Sequence, residues 1–269
     1  MGVEVRAMTI PDNICFIDIE TLPEGATVGM DATRAPGWEP PSVEGFVAEP
    51  ERKTCPAHFR KPDAIERWEA NESGRYSAAV RDAWLAAHEA MKAEKVKARK
   101  EWASGSLDGM RGRIACVSIA FGEGEIDVIE CAEDEAGGLA DLDAVMRRRK
   151  PRAIVAHYGI GFDFPFIQLR AVKHDLLGLA RRFHQDKPWD GLLVDTKALW
   201  PMVRGSKGAN LANVCAFLGI DHDVDNPITG ADVLDAYIAG RWGDVVAHAA
   251  ADVRDLRGVY RVLAQVRGL

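Results

Sequence analysis

Four acidic residues lie in three short, mostly apolar segments of the chain, and their types and spacing suit metal binding. An ionised carboxylate within apolar sequence is costly to bury unless something compensates for its charge. A divalent metal ion compensates best for several converging carboxylates, and ligand sets made of oxygen favour Mg²⁺ or Mn²⁺. We therefore interpret the four as metal ligands: Asp18, Glu20, Asp163 and Asp252.

The first two acids are two residues apart at the end of an apolar, β-rich run, which predicts a buried strand over 14–19. Alternate residues of a strand point to the same face, so Asp18 and Glu20 leave the sheet together while Ile19 points into the core. An edge strand with surface acids is the alternative, but the run from Ile14 to Ile19 is typical of a central strand.

Asp163 follows a predicted strand over 152–157 and begins a predicted helix over 163–175. The carboxyl ends of strands are where α/β proteins usually place binding sites. Helix N-capping is a common alternative use of aspartate at such a position. Asp195 also ends a predicted strand, and we interpret it as structural rather than as a ligand.

A predicted terminal helix over about 243–267 carries the last acid, Asp252. Asp255, one turn later, is the alternative ligand on this helix. His248 precedes Asp252 by four residues, so both lie on one helical face. A neutral imidazole there can orient or deprotonate a water molecule, although an ordinary helix histidine is the alternative.

Two divalent ions would balance these four carboxylates, and a pair of ions about 3.5–4 Å apart is the usual arrangement for cleaving a phosphodiester. The residues alone therefore favour a two-metal nuclease. The net charge of −7 argues against a broad basic coat-like binder, but ligand carboxylates neutralised by metal do not exclude a nucleic-acid enzyme.

The 269 residues allow one sizeable domain with an insertion, and we treat 1–269 as a single domain. No apolar stretch approaches the roughly 20 residues that span a membrane, and the N-terminus does not resemble a signal peptide. The five cysteines form no CxxC pair, so a zinc cage or disulfide framework is not indicated. We expect a cytoplasmic protein that does not bind a membrane.

The order of predicted elements favours an α/β fold. Strands at 14–19, 113–121 and 125–131 form an antiparallel set, the last two joined by the hairpin signature Gly-Glu-Gly. Helices predicted at 134–149, 163–175, 208–218, 230–239 and about 243–267 follow, together with strands at 152–157 and 192–195. This order predicts two further, parallel strands flanked by helices. Residues 23–111 form an inserted arm, a Pro-rich loop followed by helices, which could dock a protein partner or a second copy.

Three segments in order also resemble a known family. Asp18-Ile19-Glu20-Thr21, the run from Ala156 to Asp163 and the helix reaching Asp252 resemble the three motifs of the DEDD 3′–5′ exonucleases, which have an RNase H-like fold. The resemblance is to the stand-alone exonucleases similar to the proofreading domain of family-B DNA polymerases. It covers about 14–22 and 112–267 and leaves the arm outside.

The resemblance implies two Mg²⁺ or Mn²⁺ ions held by the four acids, with His248 as a catalytic residue. It also implies hydrolysis at the 3′ ends of single-stranded nucleic acid, with DNA as the expected substrate. By the same resemblance we assign four residues to the substrate site, with a core role as the open alternative for Leu22: Thr21, Leu22, Tyr158 and Phe162.

The chain departs from the family pattern at two positions. The second motif usually has Asn where this chain has Tyr158. The third motif has Tyr four residues, or His five residues, before the last Asp, whereas His248 stands at the four-residue spacing. Two other hypotheses therefore stay open: a binding or recruitment module that hydrolyses weakly or not at all, and an endonuclease on the same fold.

Overall fold

A mixed sheet with five strands organises the chain. The computed structural model describes residues 9–38, 55, 57, 60–70, 72–184, 191–200, 210–221 and 226–267. The strand order is β3-β2-β1-β4-β5. Strand β2 runs antiparallel to both β3 and β1, whereas β4 runs parallel to both β1 and β5, so the predicted α/β fold class is confirmed. The strands are β1 (Ile14–Pro23), β2 (Gly112–Phe121), β3 (Ile126–Glu130), β4 (Ala153–Ala156) and β5 (Leu193–Asp195).

Helices connect and cover these strands. Those predicted near 134–149, 163–175 and 243–267 are present, whereas α5 and α6 were not predicted. The predicted helix 230–239 begins with a 3₁₀ turn, Gly230–Asp232, and residues 208–209 of another prediction lie outside the described residues. The helices are α1 (Pro62–Ala70), α2 (Glu72–Ala103), α3 (Glu135–Arg149), α4 (Asp163–Lys173), α5 (Leu177–Arg182), α6 (Thr196–Leu199), α7 (Leu211–Leu218), α8 (Val233–Ile238) and α9 (Trp242–Arg267).

Contacts divide the chain into two compact units. One comprises residues 1–32 and 103–269 and contains the sheet, and the other comprises 33–102. The second unit contains α1 and most of α2, and in it the Trp84 ring stacks on His88 with centroids 4.9 Å apart. The predicted arm was wider, and most of its Pro-rich loop (39–54) lies outside the described residues.

Two apolar layers form on opposite faces of the sheet. Odd-numbered residues of β1, such as Ile17 and Ile19, pack in a cluster with α3, α4 and α5. Even-numbered residues, such as Phe16, pack against α9, where the Phe16 and Tyr260 rings meet edge to face at 5.3 Å. The alternation of the strand therefore directs the even-numbered Asp18 toward the α9 side.

Polar contacts fasten α9 to the turn between β2 and β3. The guanidinium of Arg257 donates to the carbonyl oxygens of Gly122 and Gly124, at 3.3 and 2.8 Å, and Arg261 pairs with Glu123. These contacts hold α9 across the sheet. Among the described residues, no helix has both the length and the apolar character needed to cross a membrane.

Candidate metal centre

Strand β1 presents two carboxylates on the sheet face that α9 covers. Asp18 pairs with Ser118 of β2, and Glu20 pairs with Cys116. Directly opposed residues of antiparallel strands share a face, so these side chains line one surface. The register shifts only after Glu20, where Thr21 follows. Regular strand geometry therefore holds both acids together, as the sequence spacing predicted.

Asp163 reaches the same surface from the carboxyl end of β4. It is the first residue of α4, and only 3 % of it is exposed. Phe162 occupies the N-cap position, so the alternative that Asp163 only caps the helix is wrong. Hydrogen bonds from the backbone N–H groups of Ile19 and of Asp163 itself reach the Asp163 carboxylate. The bond from Ile19 ties the start of α4 to β1.

A second aspartate shapes the loop that leads to Asp163. The Asp195 carboxylate accepts hydrogen bonds from the backbone N–H groups of Tyr158 at 2.9 Å and Ile160 at 3.2 Å. It also caps α6 by accepting from the N–H of Lys197 at 2.9 Å. Both oxygens are thus engaged by backbone, which supports the prediction of a structural role for Asp195.

Helix α9 supplies the remaining candidate residues. Val245, Val253 and Leu256 are at most 1 % exposed and anchor this helix. Asp252 follows His248 by one helical turn, and the side chains of His248 and Asp252 are 8 % and 25 % exposed. The apolar face of the helix therefore places an imidazole and a carboxylate over the acids of the strand.

Three of these side chains form a tight group. His248 Nε2 lies 3.4 Å from Glu20 Oε1, and His248 Nδ1 lies 3.9 Å from Asp252 Oδ1. Glu20, His248 and Asp252 each offer one ligand atom, and these atoms all lie within 4.8 Å of one another. Such spacing allows one cation to contact all three. We call the four acids and His248 the acid centre.

The charges of the acid centre act on each other. Burial, and then the charges of Asp163, Asp252 and Glu20, hold the pKa of Asp18 well above its ordinary value. Burial, and then Asp252 and Asp163, do the same to the pKa of Glu20. Burial likewise raises the pKa of Asp163 to about 7 against the effect of its backbone hydrogen bonds. The four carboxylates therefore converge, as predicted.

This donor set fits a divalent cation. Every resolved contribution to the pKa of Asp18 and Glu20 raises it, and the charged groups that contribute are all acids. Buried carboxylates that repel one another can be compensated by a metal ion, and carboxylate oxygens suit Mg²⁺ or Mn²⁺. Glu20 and Asp252 could hold one ion with His248 beside it, and the charges of Asp18 and Asp163 act on the same group.

Asn226 sets the orientation of the histidine ring and was missed by sequence reasoning. Its amide Nδ2 lies 2.8 Å from His248 Nδ1. When the amide donates, Nδ1 accepts, and the ring proton lies on Nε2, which faces Glu20. Asn226 comes from the segment before α8, which no motif marks, so only the fold brings it to His248.

Ser118 is a second residue that the sequence did not mark. It is fully buried opposite Asp18, and its hydroxyl has no hydrogen-bond partner within the described ranges. A buried hydroxyl beside a carboxylate is a polar group available to a ligand of that carboxylate. The sequence could have marked Ser118 as a polar residue facing Asp18 only if the pairing register of β1 and β2 had been known.

An open cavity of about 400 Å³ adjoins the acid centre on the side of α7. His248 and Asp252 form one wall, and a Cβ added at Gly230 would come within 3.7 Å of His248 Nε2. The cavity therefore gives a ligand access to the helix-borne residues. Its other lining residues are Asn210, Leu211, Ala212, Asn226, Ile228, Thr229 and Gly230.

Two predicted substrate contacts are corrected by the structure. Leu22 is fully buried, and the Thr21 hydroxyl donates to the Ser106 carbonyl at 2.6 Å. Both are core or structural residues because β1 continues to Pro23 and carries them into the packed sheet. For Leu22 this is the alternative that the sequence left open.

The other two predicted contacts lie beside Asp163 but differ in exposure. Phe162 is partly buried, and its ring packs against Phe166 with centroids 5.5 Å apart. Tyr158 is 48 % exposed and has a positive φ of 71°. Of the two, Tyr158 presents the larger surface to a substrate.

Comparison with known proteins adds no assignment to this geometry. No protein-family model matches the chain, and no curated protein matches its sequence.

Proposed function

We propose that the chain is a Mg²⁺- or Mn²⁺-dependent 3′–5′ exonuclease that acts on single-stranded nucleic acid, with DNA as the expected substrate. The observation that carries this proposal is the convergence of four carboxylates from β1, the start of α4 and α9. The direction of cleavage rests on the resemblance of the three motifs to the DEDD exonucleases and their RNase H-like fold.

The acids have a common role in this proposal. Asp18, Glu20, Asp163 and Asp252 would hold the ions, and His248 lies beside Glu20 and Asp252. When bound, a pair of divalent ions activates a water molecule and stabilises the leaving oxygen of a phosphodiester. The packing of α9 on the sheet supports this proposal, because it brings ligand atoms of Glu20 and Asp252 within 4.8 Å of each other.

His248 has a separate role from the acids. Its Nδ1 is engaged by Asn226, so Nε2 is the atom that can hold or move a proton near Glu20. With its proton on Nε2, an imidazole at this position can orient the attacking water by donating a hydrogen bond. The product of each cycle would be a nucleoside 5′-monophosphate.

The test is digestion of single-stranded oligonucleotides labelled at the 3′ or the 5′ end. With Mg²⁺ or Mn²⁺, we expect the 3′ label to be released first as a mononucleotide. Chelator should abolish this, and Asp18→Ala should reduce kcat by at least about a thousandfold, since metal coordination supplies several kcal/mol of transition-state stabilisation. Asp127→Asn, an exposed acid on β3, is the matched control and should remain active.

Three results would contradict the proposal. Degradation that persists both in chelator and in Asp18→Ala excludes the acid centre as its origin. Cleavage of a circular single strand identifies an endonuclease. Binding of the oligonucleotide and of metal without hydrolysis identifies a recruitment module, and RNA and DNA versions of the substrate decide the preferred sugar.

A further inference from the structure

An exposed aromatic ring and a lysine lie together beside the acid centre. Tyr158 follows β4 and Lys197 follows β5, so both come from the carboxyl ends of parallel strands. The Lys197 ammonium lies 3.9 Å from the centroid of the Tyr158 ring, and the tyrosine is 48 % exposed. We call these two residues the Tyr158–Lys197 pair.

One carboxylate fixes the backbone of both residues. Asp195 Oδ1 accepts from the N–H of Tyr158 and from the N–H of Lys197, each at 2.9 Å. Close packing also restrains the ring, because a Cβ added at Gly161 would come within 2.4 Å of it. The pair is therefore held in place before any ligand arrives.

The backbone of Tyr158 is in an unfavourable conformation. Its φ of 71° lies in the left-handed region, which bulky residues other than glycine rarely adopt. The N–H groups of Gly161 and Phe162 both donate to the Tyr158 carbonyl at 2.9 Å and so maintain this conformation. A strained residue with an exposed ring points to a role outside folding.

The pair lies next to Asp163. Phe162, whose N–H bonds to the Tyr158 carbonyl, immediately precedes Asp163 in the chain. The charge of Asp195, which holds both members of the pair, also contributes to the raised pKa of Asp163. One backbone hydrogen bond and one shared carboxylate therefore connect the pair to the residue that begins α4.

We propose that the Tyr158–Lys197 pair binds single-stranded nucleic acid beside the acid centre, with the ring against a base and the ammonium against a phosphate. Stacking on aromatic rings and contact of lysine with phosphate are the two means by which proteins hold single strands. A phosphate draws the ammonium away from the ring and opens that face to a base. The inference rests on the proposed function and adds its substrate contact.

The test measures binding of a 5′-fluorescein oligothymidylate by anisotropy in chelator, between about 50 and 200 mM salt. The variants are Lys197→Met, Tyr158→Asn and Tyr158→Phe. Asn is chosen because it tolerates the left-handed backbone better than other side chains. Lys150→Met is the matched control, since Lys150 is exposed and precedes β4, so it lies at the amino end of that strand whereas Tyr158 follows its carboxyl end.

Each variant has its own expected result. Lys197→Met should weaken binding and reduce the slope of log K against log salt by about 0.7, the value for one phosphate contact on a single strand. Tyr158→Asn should weaken binding about five- to a hundredfold with the slope unchanged, because one stacked base is lost. Tyr158→Phe and Lys150→Met should bind as the unmodified chain does.

Activity measured with Mg²⁺ separates this inference from the proposed function. If the unmodified chain digests the oligonucleotide but Lys197→Met and Lys150→Met bind it equally with equal slopes, the inference fails and the nuclease proposal stands. If the unmodified chain neither binds nor digests the oligonucleotide, both fail. Loss of binding in Tyr158→Phe equal to that in Tyr158→Asn overturns the stacking role, because the ring is then not what matters.

Discussion

Two groups of carboxylates in the sheet-containing unit differ in the charges that surround them. The acid centre contains carboxylates that raise one another's pKa. The second group, the Arg170 cluster, comprises Arg170, Glu135, Glu24 and His174 around the start of α3 and the last turn of α4. Arg170 is 1 % exposed, and its guanidinium contacts Glu135 at 2.6 Å and Glu24 at 3.1 Å.

The pKa of Glu135 shows the contrast. Burial alone would raise it, but hydrogen bonds from Arg170, the Ile114 N–H and His174, together with the Arg170 charge, hold it below its ordinary value. Glu20 is buried to a similar degree, yet burial and neighbouring acids raise its pKa. The same residue type is thus stabilised as an anion in one place and destabilised in the other.

This difference separates structural from functional acids. The Arg170 cluster joins the residue after β1, the first turn of α3 and the body of α4 with a cation that the chain itself supplies. It thereby braces the helix whose first residue is Asp163. In the acid centre, the resolved contributions to the pKa of Asp18 and Glu20 come from burial and from other acids, and a cation from solvent would compensate such charges.

The largest expected effect is on stability and tests the Arg170 guanidinium as the partner of Glu135. Arg170→Met should lower the free energy of unfolding by about 3–5 kcal/mol, because it removes the guanidinium that compensates the buried Glu135 carboxylate. Arg241→Met is the control, since Arg241 pairs with Asp244 at 2.6 Å and the two side chains are 49 % and 34 % exposed. That solvent-accessible pair should contribute less than about 1 kcal/mol. Urea denaturation of both variants makes the measurement, and equal losses would remove the contrast.

The next prediction concerns the divalent cation that we propose for the acid centre. Mg²⁺ or Mn²⁺ at about a hundred times its Kd should raise the free energy of unfolding by about 2.7 kcal/mol. Glu20→Gln should lose most of this gain, because it removes one of the three closely spaced ligand atoms. In chelator the same variant should be at least as stable as the unmodified chain, since a repelling charge is gone.

Chemical denaturation with and without metal, alongside calorimetric titration, makes this measurement. Arg241→Met again serves as the control and should keep the full metal response. An identical metal response in Glu20→Gln would show that the cation binds elsewhere.

The pH dependence of the metal-free protein should also differ between the two groups. The pKa of Asp163 is about 7 in the folded protein, whereas an ordinary aspartate titrates near 4. Between these values the folded state binds a proton that the unfolded chain has lost. The stability that Asp163 contributes is present below about pH 4 and is lost as the pH rises to about 7, by at most about 1.4 kcal/mol per pH unit.

Glu135 has the opposite sign. Its pKa is lowered, so its contribution is present above the ordinary glutamate value and is lost as the pH falls through the folded value. Denaturation in chelator from about pH 4 to 8 should show a flatter fall for Asp163→Asn than for the unmodified chain. Parallel curves would mean that Asp163 is ionised throughout, which removes its place in the repelling group.

The sequence predicted the three antiparallel and two parallel strands, and it predicted which candidate ligands share a face, because these features depend on local patterns. Alternation placed Asp18 and Glu20 on one face of β1, and helical spacing placed His248 above Asp252. Both signals act within a few residues and survive folding. The hairpin of β2 and β3 was marked by its glycine turn in the same way.

The features that the sequence did not reveal depend on distant contacts. Thr21 and Leu22 were assigned to the substrate, but β1 continues to Pro23 and buries them. The Arg170 cluster joins residues separated by up to 146 positions, so no local sequence pattern could predict it. Asn226 likewise reaches His248 only through the packing of the segment before α8 on α9.

The smallest predicted effect concerns this last contact. Asn226→Leu removes the amide that lies 2.8 Å from His248 Nδ1, so the proton is no longer held on Nε2 facing Glu20. Loss of such an orienting partner typically costs about 10–100-fold in activity, and we expect the low end, in kcat rather than KM. Nitrogen NMR of the His248 ring should show the Nε2–H form in the unmodified chain and a mixture in the variant.

Asn210→Ser is the control for this prediction, because Asn210 lines the same cavity but caps α7 through the Asn213 N–H. If both variants lose equal activity and neither changes the imidazole signals, the cavity wall rather than the ring orientation is responsible, and the role assigned to Asn226 is wrong.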